Sequence, residues 1–252
     1  MNCIVLCEGE SDQIVLSEFF CSVYNFKFDK ERSINKRKFD LTCNSYANNK
    51  VNLDMLYVGG HDFTIKLNKV LENNKLNTYD FYDHIVVVTD HDSEKELNDI
   101  VTDINRIISD NTSWQGSIVC NDWLKIKQNT DFEEEKEISL LILPVPVNET
   151  GALETFLLDA LSKKKGNSYI VEKSYQLIKK LVEEHGNISK DIFSDSYLHK
   201  RRDIVKAPLA VFLGITIPER VFAEQKKMLS DIPWGDYIKI QEDFGKLRVL
   251  AE

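Results

Sequence analysis

The run Ile85-Val86-Val87-Val88-Thr89 is β-branched throughout and ends directly in Asp90-His91-Asp92. Such a stretch suits a central strand packed on both faces, so its carboxylates must emerge where the strand leaves the sheet. The N-terminus has the same arrangement: Cys3-Ile4-Val5-Leu6-Cys7 leads straight into Glu8-Gly9-Glu10-Ser11-Asp12. If both strands belong to one parallel sheet, their acids meet at its carboxyl edge, where connections can present side chains without burying unpaired charge.

The remaining pattern extends this frame. Residues 3–7 read as a buried strand, 8–11 as a turn, and 12 to about 24 as a helix with Ile14, Val15, Phe19, Phe20 and Val23 inward. Residues 25–50, rich in Lys, Arg, Asn and Asp, lack sustained periodicity and read as an excursion with little core. A strand over 53–58 stops at Gly59-Gly60, and a helix over 62 to about 74 turns Phe63, Ile65, Leu67, Val70 and Leu71 inward. Asp92 or Ser93 then caps a helix to about residue 109. Further strands are predicted at 117–120 and 138–145, separated by a charged loop containing Glu133-Glu134-Glu135. Alternating strands and helices imply an α/β fold with a parallel sheet covered on both faces.

From Ala152 the character becomes helical, with segments predicted at about 152–162, 169–184, 188–201 and 208–213. Pro208 suits a first helical turn and Gly214 a C-terminal cap. The expected division is an α/β domain over residues 1–160, which holds the acids at the strand ends, and a helical extension over 161–252, packed on it and carrying a basic segment.

With 252 residues and 42% apolar content, the chain can bury a large core. No apolar stretch approaches the ~20 residues of a bilayer span, and no basic-then-apolar leader opens the chain, so a cytoplasmic protein without membrane contact is expected. Five cysteines without a C-x-x-C pair read as free thiols rather than disulfides or zinc ligands. Residues 1–155 hold 15 basic and 27 acidic side chains (−12), whereas 156–252 hold 17 and 14 (+3), so the net charge of −9 does not exclude a nucleic-acid partner. An acidic part for cations and a mildly basic part for a phosphate backbone is one division of labour; a solvated acidic surface is the plainer one.

Asp90 and Asp92, two apart, project to one side of an extended chain, and a hard cation with oxygen ligands stabilises such a pair. Glu8 joins them at the sheet edge. Asp12, four residues after Glu8, falls in a first helical turn, where an acid also simply complements the helix dipole. Asn148-Glu149-Thr150-Gly151-Ala152-Leu153-Glu154-Thr155 follows another strand and opens a helix, so Glu149 and Glu154 are further candidate ligands, or dipole-favourable acids beside a capping Thr150 or Thr155. The basic run His199-Lys200-Arg201-Arg202 is an ordinary solvated face, but Lys206, at the start of the apolar segment, can stabilise developing phosphate charge. The five histidines show no zinc spacing, and no G-x-x-x-x-G-K-[ST] loop occurs.

Glu8-Gly9 after the first strand and Asp90-x-Asp92 after a later one resemble the Toprim domain of type IA topoisomerases, bacterial primases and OLD-family nucleases. The Glu8-Gly9-x-x-Asp12 form, the Gly151-x-x-Glu154 helix opening and a lysine some 50 residues on are most similar to the stand-alone and OLD-type Toprim nucleases, including small bacterial proteins of the DUF3226 and DUF4435 kind. The resemblance covers about residues 1–215 and implies a Toprim-like (Rossmann-like) central parallel sheet flanked by helices. It further implies that Glu8, Asp90 and Asp92 bind one Mg²⁺ or Mn²⁺, that Asp12 with Glu154 helps bind a second, and that Lys206 is the transition-state lysine. The activity implied is metal-dependent endonucleolytic hydrolysis of DNA or RNA, with metals activating water and neutralising the leaving oxygen. A separate ATPase partner and defence against phage or foreign DNA follow by analogy. The sequence departs from the pattern at His91, where a small residue is usual, and at Ser93, where glycine is frequent; neither change removes a carboxylate.

Two rival readings use the same residues. One takes Asp90-x-Asp92 as a phosphatase nucleophile or a sugar-nucleotide D-x-D, which leaves Glu8-Gly9 without a role. The other is a partner-activated or non-catalytic subunit that binds nucleic acid or an ATPase. A homodimer is equally open; the 25–50 excursion and Pro233-Trp234-Gly235 are candidate partner surfaces, or only loop and packing.

Overall fold

The structure is a computed structural model describing residues 1–33, 37–38, 41–59, 63–76, 79–185, 201–216, 232 and 234–252. Its centre is formed by β1 (Asn2–Cys7), β5 (Asn52–Tyr57), β6 (His84–Asp90) and β8 (Glu135–Val145). These run parallel in the order β5-β1-β6-β8. Outside β5 lie β4 (Leu41–Ala47) and then β2 (Lys27–Phe28), both antiparallel to their neighbours, while β3 (Arg37–Lys38) pairs with β4. At the opposite edge, β7 (Leu124–Asn129) is antiparallel to β8. The sheet is therefore mixed, parallel through its four central strands and antiparallel at both margins.

Alternation along the central strands sorts the core into two layers. Cys3, Val5 and Cys7 of β1, with Val86 and Val88 of β6 and Leu141, Leu143 and Val145 of β8, face one side. There they meet α1 (Glu10–Tyr24) through Leu16, Phe19 and Phe20, and α5 (Leu153–Ser162) through Phe156 and Leu157. Ile4, Leu6, Ile85, Val87, Leu140 and Ile142 face the other side and meet α3 (Phe63–Leu76) and α4 (Glu94–Asn111). The predicted covering of both faces is present. Ser93 caps α4 by accepting the Glu96 N–H.

The C-terminal part closes over the first layer. Helices α6 (Asn167–His185) and α7 (Arg201–Thr216) pack with α5. Trp234, α8 (Ile238–Phe244) and a 3₁₀ helix (Gly245–Ala251) add Phe244, Leu247 and Leu250 to the cluster that holds β1. Among the described residues, no helix is long and apolar enough to cross a membrane. All five cysteines are free.

Several predicted elements are corrected. Residues 25–50 contain β4, whose Cys43, Ser45 and Tyr46 are buried, rather than an excursion with little core. Residues 117–120 form no strand; the margin strand is Leu124–Asn129, and β8 begins at Glu135, inside the predicted charged loop. Ile65 is 54% exposed. The helix predicted at 208–213 begins at Arg201, so Pro208 lies inside it and Gly214 does not end it. Lacking an N–H, Pro208 cannot bond the Ile204 carbonyl one turn earlier, and packing of Phe212 and Leu213 holds the helix through that gap. Most of the helix predicted at 188–201 lies outside the described residues.

β4 escaped pattern reading because it is held by a buried polar network rather than by apolar alternation. Asp54 of β5 is fully buried and accepts from Ser45 Oγ at 2.6 Å and Tyr82 Oη at 2.8 Å, with Arg32 Nη2 at 3.4 Å. Burial, then the Asp54 charge and the hydrogen bond itself, push the Tyr82 hydroxyl far above its ordinary pKa, so it remains a donor. Asp54→Ala leaves two buried hydroxyls without their acceptor and is expected to cost about 3 kcal/mol in urea unfolding. Tyr82→Phe removes one donor and is expected to cost roughly 1–2 kcal/mol.

Candidate functional site

Two neighbouring strands end together. The register pairs Cys7 of β1 with Val88 of β6, so Glu8, just past β1, and Asp90, the last residue of β6, lie at adjacent strand ends. Glu8 is 1% exposed, and its carbonyl accepts the Gly59 N–H at 3.0 Å, tying the turn after β1 to the turn after β5. Gly59 takes φ +76°, a conformation that glycine adopts without strain. Gly9 is the cap residue of α1, and Asp12, in the first turn, accepts the Gly9 N–H at 2.8 Å. Asp12 is 4% exposed, and its second oxygen, Oδ1, has no hydrogen-bond partner.

At the end of β6, the backbone of His91 bonds Val145 on one side and Gly151 on the other. That clamp brings the start of α5 up to β6. A Cβ on Gly151 would stand 3.3 Å from Pro146 Cδ, so glycine permits the close pass. Asp90 Oδ1 then accepts the N–H of Leu153, the first residue of α5, at 3.3 Å, and Thr155 Oγ1 accepts that of Ala152 at 3.4 Å. An acid at a helix N-terminus is favoured by the unpaired N–H groups and the helix dipole. Glu154, next in α5, is 6% exposed, and Asp90 is 7% exposed.

Lys206 reaches into this acidic corner from α7. Its Nζ lies 2.9 Å from Asp90 Oδ2 and 3.4 Å from Glu154 Oε1. Glu154 Oε2 is buried without a hydrogen-bond partner. Burial lowers the affinity of Lys206 for its proton, but Glu154, Asp90 and Asp12 together more than reverse this and hold the ammonium above its usual range. Burial also raises Glu154, and Asp90 adds to the shift while Lys206 opposes it. Asp12 is pushed up to about 7 by burial and by the charges of Asp90 and Glu154, against the Gly9 N–H and Lys206.

The structure thus brings Asp12, Asp90, Glu154 and Lys206 into one coupled group, with Glu8 at the adjoining strand end. Asp92 follows His91 and is half-buried. Glu149 is placed elsewhere: it pairs with Lys239 and lines a pocket with Asp159, Lys163, Tyr237 and Asp243. His91 is a core residue, its ring nitrogens 3.1 Å from Pro146 O and Glu94 Oε1. His61 and His199 lie outside the described residues, as does the side chain of His185. Sequence reading missed Gln13, which is buried beside Asp12. Its amide donates to Met55 O at 2.6 Å and its oxygen accepts from Asn44 at 3.0 Å, anchoring the start of α1 to β5 and β4. No pattern in the sequence marks it, because its partners come from strands about 30 and 40 residues away.

A family model described as "Protein of unknown function (DUF3226)" matches residues 2–214. The chain belongs to the DUF3226 family. The matched span contains all seven candidate residues, from Glu8 to Lys206. No curated protein matches the sequence. Among solved structures, the DUF3226 chain is similar to the hypothetical protein PH0156 from Pyrococcus horikoshii OT3, at 15% identity over 99% of this chain and 98% of that chain, with a TM-score of 0.49.

The raised Asp12 sets a pH dependence. A carboxyl bound more tightly to its proton in the fold than in the unfolded chain contributes stability at low pH, and loses it as pH rises from about 4 to about 7. Asp12→Asn removes that loss while keeping an acceptor for Gly9. In EDTA the variant is expected to be more stable than the parent at pH 8, by up to ~4 kcal/mol in urea unfolding, and the difference to vanish near pH 4.

Proposed function

We propose that this chain is a metal-dependent phosphodiesterase of the Toprim nuclease type, acting on DNA or RNA. The observation that carries the reading is that Asp90 and Glu154, both buried, pair with the Lys206 ammonium at the carboxyl edge of the parallel strands, with buried Asp12 in electrostatic reach of all three. So much buried negative charge beside a single fixed cation is a poor way to stabilise a fold and a suitable way to hold a divalent ion against phosphate.

The donor set fits Mg²⁺ or Mn²⁺, since every candidate ligand is a carboxylate, and Asp12 Oδ1 and Glu154 Oε2 are buried acceptors without hydrogen bonds. Among the described residues, no three acidic, histidine or cysteine side chains stand close enough to hold a metal as they are. Lys206 supplies the positive charge between two of them. Glu8, Asp90 and Asp92 would hold a cation, which when bound polarises the phosphate and helps water ionise. The chain's own part is to aim these oxygens from two strand ends, to exclude bulk water by burial, and to present the Lys206 ammonium to charge developing on the phosphate. Residues 156–252, with net charge +3, suit the polyanionic backbone. Glu149, engaged by Lys239, takes no part in this arrangement. An ATPase partner and a role in defence against foreign DNA belong to the same proposal through the Toprim resemblance.

Purified protein is expected to cut at least one of supercoiled plasmid, single-stranded DNA and a tRNA pool in Mg²⁺ or Mn²⁺, and none in EDTA. Glu8→Ala and Asp90→Ala should reduce cutting to background with far-ultraviolet circular dichroism unchanged, and Lys206→Ala should slow it by roughly 10²–10³. Absence of cutting in every condition would transfer the proposal to a partner-activated or non-catalytic subunit.

A further inference from the structure

A second cluster of charged side chains lies apart from the strand-end acids, around a cavity of about 560 Å³ built by the turn after β8, the side of α5, and α8. Part of its charge is answered within the chain. Glu149 pairs with Lys239, while Asp159 accepts the Tyr237 hydroxyl and lies 3.4 Å from Lys163 Nζ. Three lining carboxylates remain, Asp236, Glu242 and Asp243, and among the described residues none of them forms an ion pair. Asp243 is 3% exposed. Its Oδ1 accepts the Val147 N–H at 3.4 Å, whereas Oδ2 is buried and has no hydrogen-bond partner. Lys239, in electrostatic reach of Asp243, bonds Glu149 instead. Burial raises the proton affinity of Asp243, but protonation does not satisfy Oδ2, since the buried hydroxyl then lacks an acceptor.

An occupant that answers this site carries positive charge and N–H donors. Among the described residues, no three carboxylates stand close enough to hold a metal ion, and the cavity has the size of a small-molecule site, commonly ~300–1,000 Å³. Its acids are graded in depth: Asp243 is buried, whereas Asp236 and Glu242 are exposed. Pro146, Tyr237 and Ile238 give the same cavity apolar wall, and Ile238 is 72% exposed. A short alkyl chain covers such a wall while N–H groups at its ends meet the deep and the outer carboxylates, the charged hydrogen bond to Asp243 Oδ2 being the strongest contact. We infer that this cavity binds a small organic cation with N–H donors, of the diamine or guanidine class, with Asp243 as its buried anchor. The inference is independent of the metal-dependent reading above, since none of these residues belongs to the group around Lys206.

The test is calorimetric titration of the full chain, in EDTA at physiological ionic strength, with 1,4-diaminobutane and agmatine, and with tetramethylammonium as a cation lacking N–H donors. One diamine or agmatine molecule is expected to bind per chain, and tetramethylammonium not to bind. Asp243→Asn, which keeps an acceptor for Val147, should weaken binding roughly ten- to hundredfold. Glu242→Gln, at an exposed position, should weaken it roughly two- to fivefold. Asp90→Asn should leave it unchanged, which separates this cavity from the strand-end acids. Absence of saturable binding to the wild-type chain, equal binding of tetramethylammonium, or loss of binding in Asp90→Asn would each overturn the inference. An affinity unaltered by Asp243→Asn would overturn it as well. If Asp243→Asn does not fold, the Asp236→Asn/Glu242→Gln double variant decides: weakened binding supports the site and unweakened binding overturns it. Each of these results leaves the metal-dependent reading to its own cleavage test.

Discussion

Carboxylates buried within reach of one another repel, and each loses hydration that the interior does not return. Asp12, Asp90 and Glu154 accept this arrangement because three features of the fold offset it. The open start of α1 gives Asp12 a backbone N–H, the start of α5 gives Asp90 another, and α7 delivers the Lys206 ammonium. None of these is local to the acid it stabilises except the Gly9 N–H. The positions of α5 and α7 relative to β1 and β6 are thus what make the acidic corner possible, and most of the C-terminal packing serves to set them.

That packing is visible in how the core is divided. The layer beneath α3 and α4 is built from β-strand residues and two amphipathic helices. The layer on the other side collects α1, α5, Phe212 and Leu213 of α7, Trp234, Phe244 and the final 3₁₀ helix into one cluster. Phe19 stacks edge-on against both Trp234 and Phe244. Residues from the last fifth of the chain thus lock the helix whose first turn holds Asp12, and chain ends far apart in sequence converge behind one site.

Legibility in the sequence followed how strongly burial is written in residue type. β1 and β6 are uninterrupted apolar runs, and their terminal acids are conspicuous by contrast. β4 was hidden because its buried members include Ser45, acceptable in a core only because Asp54 stands opposite it. β7 was hidden because Lys125 and Lys127 face solvent and pair with Glu137 and Glu135, so that an antiparallel margin reads as a charged loop. Its inward members are Ile126 and Gln128, the latter buried through a bond to Leu71 O. The apolar pair Ile118-Val119 offered a false strand in its place, with Val119 left exposed.

The sequence by itself determined that acids leave two buried strands at their carboxyl ends, since a β-branched run can end in a carboxylate only where it reaches the sheet edge. It also determined the helices that follow, through caps and apolar spacing that act within a few residues. Only the tertiary structure decided that Glu154 joins Asp90 while Glu149, five residues earlier, turns to Lys239, and that Lys206, more than a hundred residues from Asp90, supplies the charge between them. Those choices depend on helix placement and on the balance of desolvation against pairing, which are properties of three-dimensional neighbours and have no counterpart in local sequence.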